Sequence, residues 1–478
     1  MSAKNTYARP KTLRSFPSVH PRSLPPFVEP PNFLTLYPPL PPTHARSTRE
    51  VKCLDDRWDE WEVTTHVLPA AYPRVTAFVR LPPRQTTPPE PLTKEVRAKE
   101  MEQTALGLIE LKHSSVRGED FGGSMEEEPS RVLWNVVNRY VKSRRSGIGH
   151  GGKKDITLLL THPTGLPKEI WEPFIQYLTH TLQSRESSDV CIAEIWSIEA
   201  VQHGDAALLN EGRLGDLHDW QDLSRDILNF LLHYLPEISS HSPSIQYPAN
   251  LERVSDEIAT KRRTAGFTNR TLVAIGHSLG GCTVTQAALA YPSLFSSLIL
   301  VDPAITAPWI DRTQHVKTIV LGAIRRRSVW NSRDEAHRSF AAIPFFGEWD
   351  PKVLDAYVEH GLVRDDATGK FVLKTPPRQE GICFAEARVG CEVFELLPTL
   401  HPHIEIRWIL AGKHLYPDVT GDWSTTAELV WRRPENASNV GMPSSGHLVV
   451  QEAPADLAVH VCDFLTRKYK NWDEKSRL

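Results

Sequence analysis

Residues 271–302 read TLVAIGHSLGGCTVTQAALAYPSLFSSLILVD. The run Thr271–Ile275 is apolar and rich in β-branched residues, which predicts a buried strand. Gly276, His277, Ser278, Leu279, Gly280 and Gly281 follow. Val284, Ala287, Ala288 and Leu289 then repeat on one helical face, up to Tyr291-Pro292. A second apolar run, Leu298–Val301, stops at Asp302. A G-x-S-x-G set between a strand and a helix is the context of a nucleophile elbow. The turn is so tight that neighbouring side chains would clash, and Gly276 and Gly280 supply the room. Ser278 is thereby lifted clear of the sheet. It sits at a helix N-terminus, where the Leu279 N–H faces any negative charge that develops.

A serine hydroxyl attacks only when a base takes its proton, and the base needs an orienting carboxylate. His447, after Gly446 and ahead of a final helical pattern, is the late histidine placed for that work. His460 lies within that helix among apolar residues and reads as packed or surface. For the acid, Asp302 ends the strand after the elbow helix, and adjacent parallel strands bring it to the same rim. It is preferred over Asp418 and Asp422, which lie beyond the strand ending WILAGKHLYPD. Ile156–Leu160 is another apolar strand, followed by the turn His162-Pro163-Thr164-Gly165. A turn in that place supplies a second oxyanion donor, and the Leu166 N–H is the expected one.

The chain has 478 residues and a formal charge of −3, so nothing favours nucleic-acid binding. No apolar run is long enough for a membrane helix, and no signal-peptide core is visible. Six dispersed cysteines without a CxxC pair read as reduced, mostly buried thiols. His401, His403 and His414 do not complete a ligand pattern, so no metal and no cofactor is expected. Residues 1–50 hold 11 of the 38 prolines and predict an extended arm able to lie in a groove. WEVTTHVLPA and RVTAFVRL predict an antiparallel pair between Trp61 and Leu81. Residues 82–128 read as a surface insertion with one amphipathic piece near 95–112. His203, Asp205 and Asn210 read as loop-fixing hydrogen-bonding groups. Residues 303–403 break the strand–helix alternation and read as a lid, with the Arg325–Arg327 run a solvated face. The core therefore divides into 51–302 and 404–478.

GHSLGG (276–281), LVDPA (300–304) and GHLVVQEAP (446–454) resemble the α/β-hydrolase superfamily. THPTGLPKEIWEP (161–173), the segment 195–227 and RRRSVWNSRDEA (325–336) are similar to fungal peroxisomal serine hydrolases. That group holds peroxisomal lipases, toxin-biosynthesis hydrolases and mycophenolic-type acyl-CoA hydrolases. Two departures stand out: HPTG in the oxyanion turn, and Glu199 where the group leads one to expect aspartate. The resemblance implies an α/β-hydrolase fold, with a mostly parallel central sheet, helices on both faces and an inserted helical lid. It also implies that Asp302 is the acid of a Ser278–His447–Asp302 triad. The expected activity is cleavage of an acyl-CoA thioester or an ester through an acyl-enzyme. A lipase or carboxylesterase is the alternative, and a non-catalytic binding protein the remaining one. The last residues, Ser476, Arg477 and Leu478, match a peroxisomal address, so the import receptor is an expected partner and the peroxisome the expected site. A homodimer is left open.

Overall fold

The computed structural model describes residues 5–30, 39–45, 48–51, 54, 61–81, 93–119, 132–142, 154–185, 189–237, 246–386, 388–413 and 421–470. The first half runs β1 (Arg49–Val51), β2 (Trp61–Pro69), α1 (Lys94–Arg117), β3 (Trp134–Lys142), β4 (Lys154–Thr161), α2 (Glu172–Gln183), β5 (Val190–Glu199), α3 (Gly204–Leu209), α4 (Trp220–Asn229), α5 (Asp256–Ala265), β6 (Leu272–His277), α6 (Leu279–Ala290) and β7 (Ser297–Val301). Next come α7 (Thr313–Arg325), β8 (Val329–Trp330), α8 (Arg333–Ala341), α9 (Pro344–Gly347), α10 (Pro351–His360), β9 (Leu362–Arg364), β10 (Phe371–Leu373), α11 (Pro377–Phe384) and α12 (Val389–Leu396). The chain closes with β11 (Glu405–Ala411), α13 (Trp423–Val430), β12 (Ala437–Met442), α14 (Val449–Glu452) and α15 (Pro454–Lys468).

One nine-stranded sheet has the order β1-β2-β3-β5-β4-β6-β7-β11-β12. The six strands from β5 to β12 are parallel, and β1, β2 and β3 join antiparallel. The central strands are apolar throughout because both faces are covered; every residue of β6 and β7 is buried. One face packs against α2 and α15 through Phe174, Leu178, Val461 and Leu465. The other packs against α4, α6 and α13 through Ile227, Val284 and Leu429. Parallel strands send β4, β6, β7 and β11 to one common C-terminal rim, and that rim positions the site.

Residues 303–403 hold α7 to α12 and a small sheet ordered β8-β10-β9, the hairpin closing near Gly369. The amphipathic piece of the 82–128 insertion forms α1, which buries one side, at Ala105, Leu108, Leu111 and Lys112. Ala105 packs with Val316, Val320 and Ala385. The buried Lys112 ammonium meets Asp219 at 3.2 Å and Glu386 at 2.9 Å, which ties α1 to the start of α4 and to the end of α11.

RVTAFVRL forms no strand; β2 pairs with β1 and β3 instead. Carboxylates on α4 and the loop before it capture that segment's polar groups: Asp222 accepts the Val75 N–H, Asp216 the Leu81 N–H, and Asp226 the Arg74 guanidinium. The described part of the Pro-rich segment is irregular apart from an isolated bridge between Val28 and Tyr72, a 3-10 turn at Thr43–Ala45 and the entry of Arg49 and Glu50 into β1. Its anchor is Tyr7, which is buried and exchanges two hydrogen bonds with the Asn439 side chain. Further along, Arg22 bridges Glu392 and Asp219. Phe33, Leu34, Leu36, Tyr37, Cys53, His414, Asp418 and the Ser476–Leu478 tripeptide lie outside the described residues.

Candidate active site

Ser278 stands between β6 and α6 with φ 52° and ψ −117°, a strained backbone for a non-glycine residue. The turn closes only because its neighbours lack side chains. A Cβ on Gly276 would come 2.6 Å from the Gly280 carbonyl oxygen, and one on Gly280 would come 2.3 Å from that of Thr161. Ser278 N–H donates to Val301 O, and Ser278 O accepts from Ala304 N, so the elbow is tied to the end of β7.

Asp302 follows β7 directly, and His447 lies in the loop between β12 and α14. The His447 Nε2 is 3.0 Å from Ser278 Oγ, and its Nδ1 is 2.6 Å from Asp302 Oδ2. With the Nδ1 proton donated to the carboxylate, Nε2 is left to accept the serine proton. Asp302 is buried, and its other oxygen, Oδ1, accepts the Ala411 N–H at 3.0 Å. Asp302 is thus oriented by β7 through the chain and by β11 through a hydrogen bond. His447 keeps 21% of its side chain exposed, which leaves its ring reachable from solvent.

Two further contacts fix the histidine loop. Gly446 N–H donates to Glu452 Oε2, and the His277 Nε2–H donates to the His447 carbonyl oxygen at 2.8 Å. Burial pushes His277 down to about 3, so it stays neutral. Sequence reading passed over His277; its one signal was its place beside the serine. Asp422 is elsewhere, capping α13 by accepting the Thr425 N–H. His460 stays on α15, and His401 and His403 pair with each other on an exposed turn before β11.

The turn after β4 faces the elbow through the contact of Gly280 with Thr161. Within residues 165–168, Gly165 N–H donates to His203, Pro167 has no N–H, and Lys168 N–H donates to Glu199. Among the described residues the Leu166 N–H meets no acceptor, and neither does that of Leu279 at the start of α6. These are the two expected oxyanion donors.

A buried charge cluster lies under that turn. The Lys168 ammonium, fully enclosed, contacts Glu169 at 2.8 Å, Glu199 at 3.3 Å and Asp205 at 2.8 Å. Lys374, on the segment after β10, reaches Asp205 at 2.7 Å. Burial, with Glu169 and Asp205 beside it, pushes Glu199 up to about 7 against the pull of Lys168. Glutamate fits here because residue 204 is glycine with φ +47°; a Cβ there would lie 1.9 Å from Glu199 Oε1. His203 and Asn210 do fix backbone, at the two ends of the short helix α3 rather than in an open loop, whereas the Asp205 carboxylate meets the side chains of Lys168, Lys374 and His44. In the arginine run, Arg325 is exposed, Arg327 pairs with Glu335, and Arg326 approaches the buried Glu380 at 2.8 Å.

Residues 158–460 match the model of the alpha/beta hydrolase family. The chain belongs to that family. Among relatives of this hydrolase, Type I acyl-CoA thioesterase mpaH of Penicillium brevicompactum is 29% identical over 231 residues, which is 48% of this chain and 44% of the relative. Abhydrolase domain-containing protein ACTT2-1 of Alternaria alternata is 35% identical over 41% of this chain and 83% of its own length. Peroxisomal membrane protein LPX1 of Saccharomyces cerevisiae is 29% identical over 31% of each chain. The solved structure of that yeast alpha-beta-hydrolase superposes with a TM-score of 0.58 at 15% identity, covering 87% of this chain and 92% of the other. The matches span less than half the length of the Penicillium relatives, 44% and 46%.

Proposed function

We propose that the protein is a serine hydrolase that cleaves an acyl thioester, most concretely an acyl-CoA. The observation that carries this is the hydrogen-bonded series Ser278–His447–Asp302 at an elbow. His447 Nε2 takes the Ser278 proton as Oγ bonds to the thioester carbon. The carbonyl oxygen becomes an oxyanion held by the N–H groups of Leu279 and Leu166. The C–S bond then breaks, and the thiol leaves with the proton from His447. Water enters, gives its proton to His447 and attacks the acyl-enzyme; Ser278 recovers its proton as the acid departs. Asp302 keeps the imidazole in the right tautomer and stabilises its charged form.

The thioester reading rests on the relatives named acyl-CoA thioesterase. Support for the peroxisome comes from the Ser476-Arg477-Leu478 tripeptide and from a relative named as peroxisomal. A lipase or carboxylesterase would use the same groups. The test is steady-state turnover of acyl-CoA thioesters and matched p-nitrophenyl esters, with Ser278→Ala as control. Thioester turnover lost in Ser278→Ala supports the reading. Ester-only turnover moves the protein to the alternative, and turnover independent of Ser278 removes both. Fluorescent fusions with and without residues 476–478 test the address.

A further inference from the structure

The turns that follow β4 and β5 are cross-latched by two histidines. β4 and β5 are adjacent parallel strands, so their C-terminal turns lie side by side. From the β4 turn, His162 Nε2 accepts the Ala200 N–H of the β5 turn at 3.0 Å. From the β5 turn, His203 Nε2 accepts the Gly165 N–H of the β4 turn at 2.9 Å. The rings sit 4.9 Å apart, and both are buried. His162 donates its Nδ1–H to the Pro163 carbonyl at 2.8 Å, which fixes Nε2 as the acceptor. Only a neutral imidazole accepts in this way, and burial holds both well below the ordinary histidine range.

The latch bears on Leu166 in particular. His203 holds the residue before it and Glu199 holds Lys168, with proline between. The Leu166 peptide is therefore pinned on both sides, and its N–H direction is set from β5 rather than from its own strand. We propose that His203 is a positioning residue for the oxyanion: through Gly165 it aims the Leu166 N–H. This rests on the serine-hydrolase reading above.

The test uses the full chain, with p-nitrophenyl butyrate as substrate and two inhibitors: an alkyl trifluoromethyl ketone and the corresponding secondary alcohol. The ketone needs the oxyanion site once Ser278 has added to it, and the alcohol does not. Because mispositioning by a fraction of an ångström is costly, His203→Phe is expected to lower kcat by about tenfold to a hundredfold with KM little changed. Ketone affinity should fall in proportion and alcohol affinity should hold. His203→Gln, whose carboxamide oxygen can accept the Gly165 N–H, should recover most of both. If His203→Phe does not give a folded protein by thermal melting, the same comparison is made between His203→Gln and His203→Asn, whose shorter side chain withdraws the acceptor. Wild-type kcat in the folded Phe or Asn variant overturns the proposal, as does an equal loss of ketone and alcohol affinity, or failure of Gln to rescue. Ser278→Ala separates the two readings: turnover that survives it sinks the hydrolase reading, while serine-dependent turnover indifferent to His203 sinks only this one.

Discussion

His277 donates a hydrogen bond to the main-chain oxygen of His447 at 2.8 Å, so the residue before Ser278 holds the loop that carries His447. The chain thus sets the serine–histidine distance twice, once through the side chains and once through this brace. His277→Phe removes the donor and frees the loop. We expect kcat to fall about tenfold with the melting temperature little affected, and His277→Gln, which keeps a donor, to retain more activity. Equal kcat for wild type and His277→Phe would show that the brace is idle.

The acid is distinguishable by substitution. Asp302→Asn replaces an acceptor of the Nδ1 proton by a group that can oppose it, and favours the wrong imidazole tautomer. A loss of about 10³–10⁴ in kcat is expected, with the fold retained. Asp422→Ala should instead leave kcat alone and cost about 1 kcal/mol of stability, because Asp422 caps α13. The paired kinetic and urea measurements assign the two roles, and the opposite pattern reverses them.

Acid should destabilise the protein through its buried histidines before it reaches the ordinary carboxylate range. Burial lowers His66 and His162 to about 4 and His277 to about 3. The unfolded chain takes up protons near 6.5 and the folded one only below these values. The unfolded state therefore binds more protons below about pH 6.5, and stability present above that point is lost on the way down. Each of these groups contributes a loss on the order of 3 kcal/mol by pH 4. Urea midpoints at pH 7.5, 6 and 5 should fall steadily. A flat profile contradicts neutral histidines.

Arg22 joins two buried carboxylates on different elements, Glu392 and Asp219. Arg388 and Lys112 also serve them, so removal of Arg22 leaves neither wholly unpaired. Arg22→Ala is expected to cost about 2 kcal/mol, read from the urea midpoint, without change in KM. An unchanged midpoint would mean that the N-terminal arm is only laid on the surface.

Sequence legibility followed local physics. The elbow strand and helix, β4, β5, β11 and the final helix were readable because each is a run with one clear period. β12, ASNVGM, was not read: it has few apolar residues, and as an edge strand it is finished by polar contacts from the arm. RVTAFVRL was misread because alternation measures only the wish to bury a face. The carboxylates of Asp216 and Asp222, far along the chain, take its N–H groups at Leu81 and Val75, and Asp226 takes the Arg74 guanidinium. In the candidate site, Ser278, Asp302 and His447, which lie within hydrogen-bonding distance of one another, were singled out by chain order and rim position. His277 was not, and His203 was read only as a loop-fixing group, because their partners are backbone atoms on other loops, and no spacing rule encodes those.

The arm has a bearing on assembly as well as on stability. Tyr7 and Asn439 bond across a separation of 432 residues. The segment around Tyr7 must therefore wait, undocked and with its aromatic side chains uncovered, until Asn439, made 432 residues later, has taken its place in a strand. A long separation of this kind makes closure slow and late. During translation the exposed flank of the sheet and the segment that finishes it are complementary but apart, and this interval is when a chaperone, or a neighbouring nascent copy, has its opportunity to bind either one.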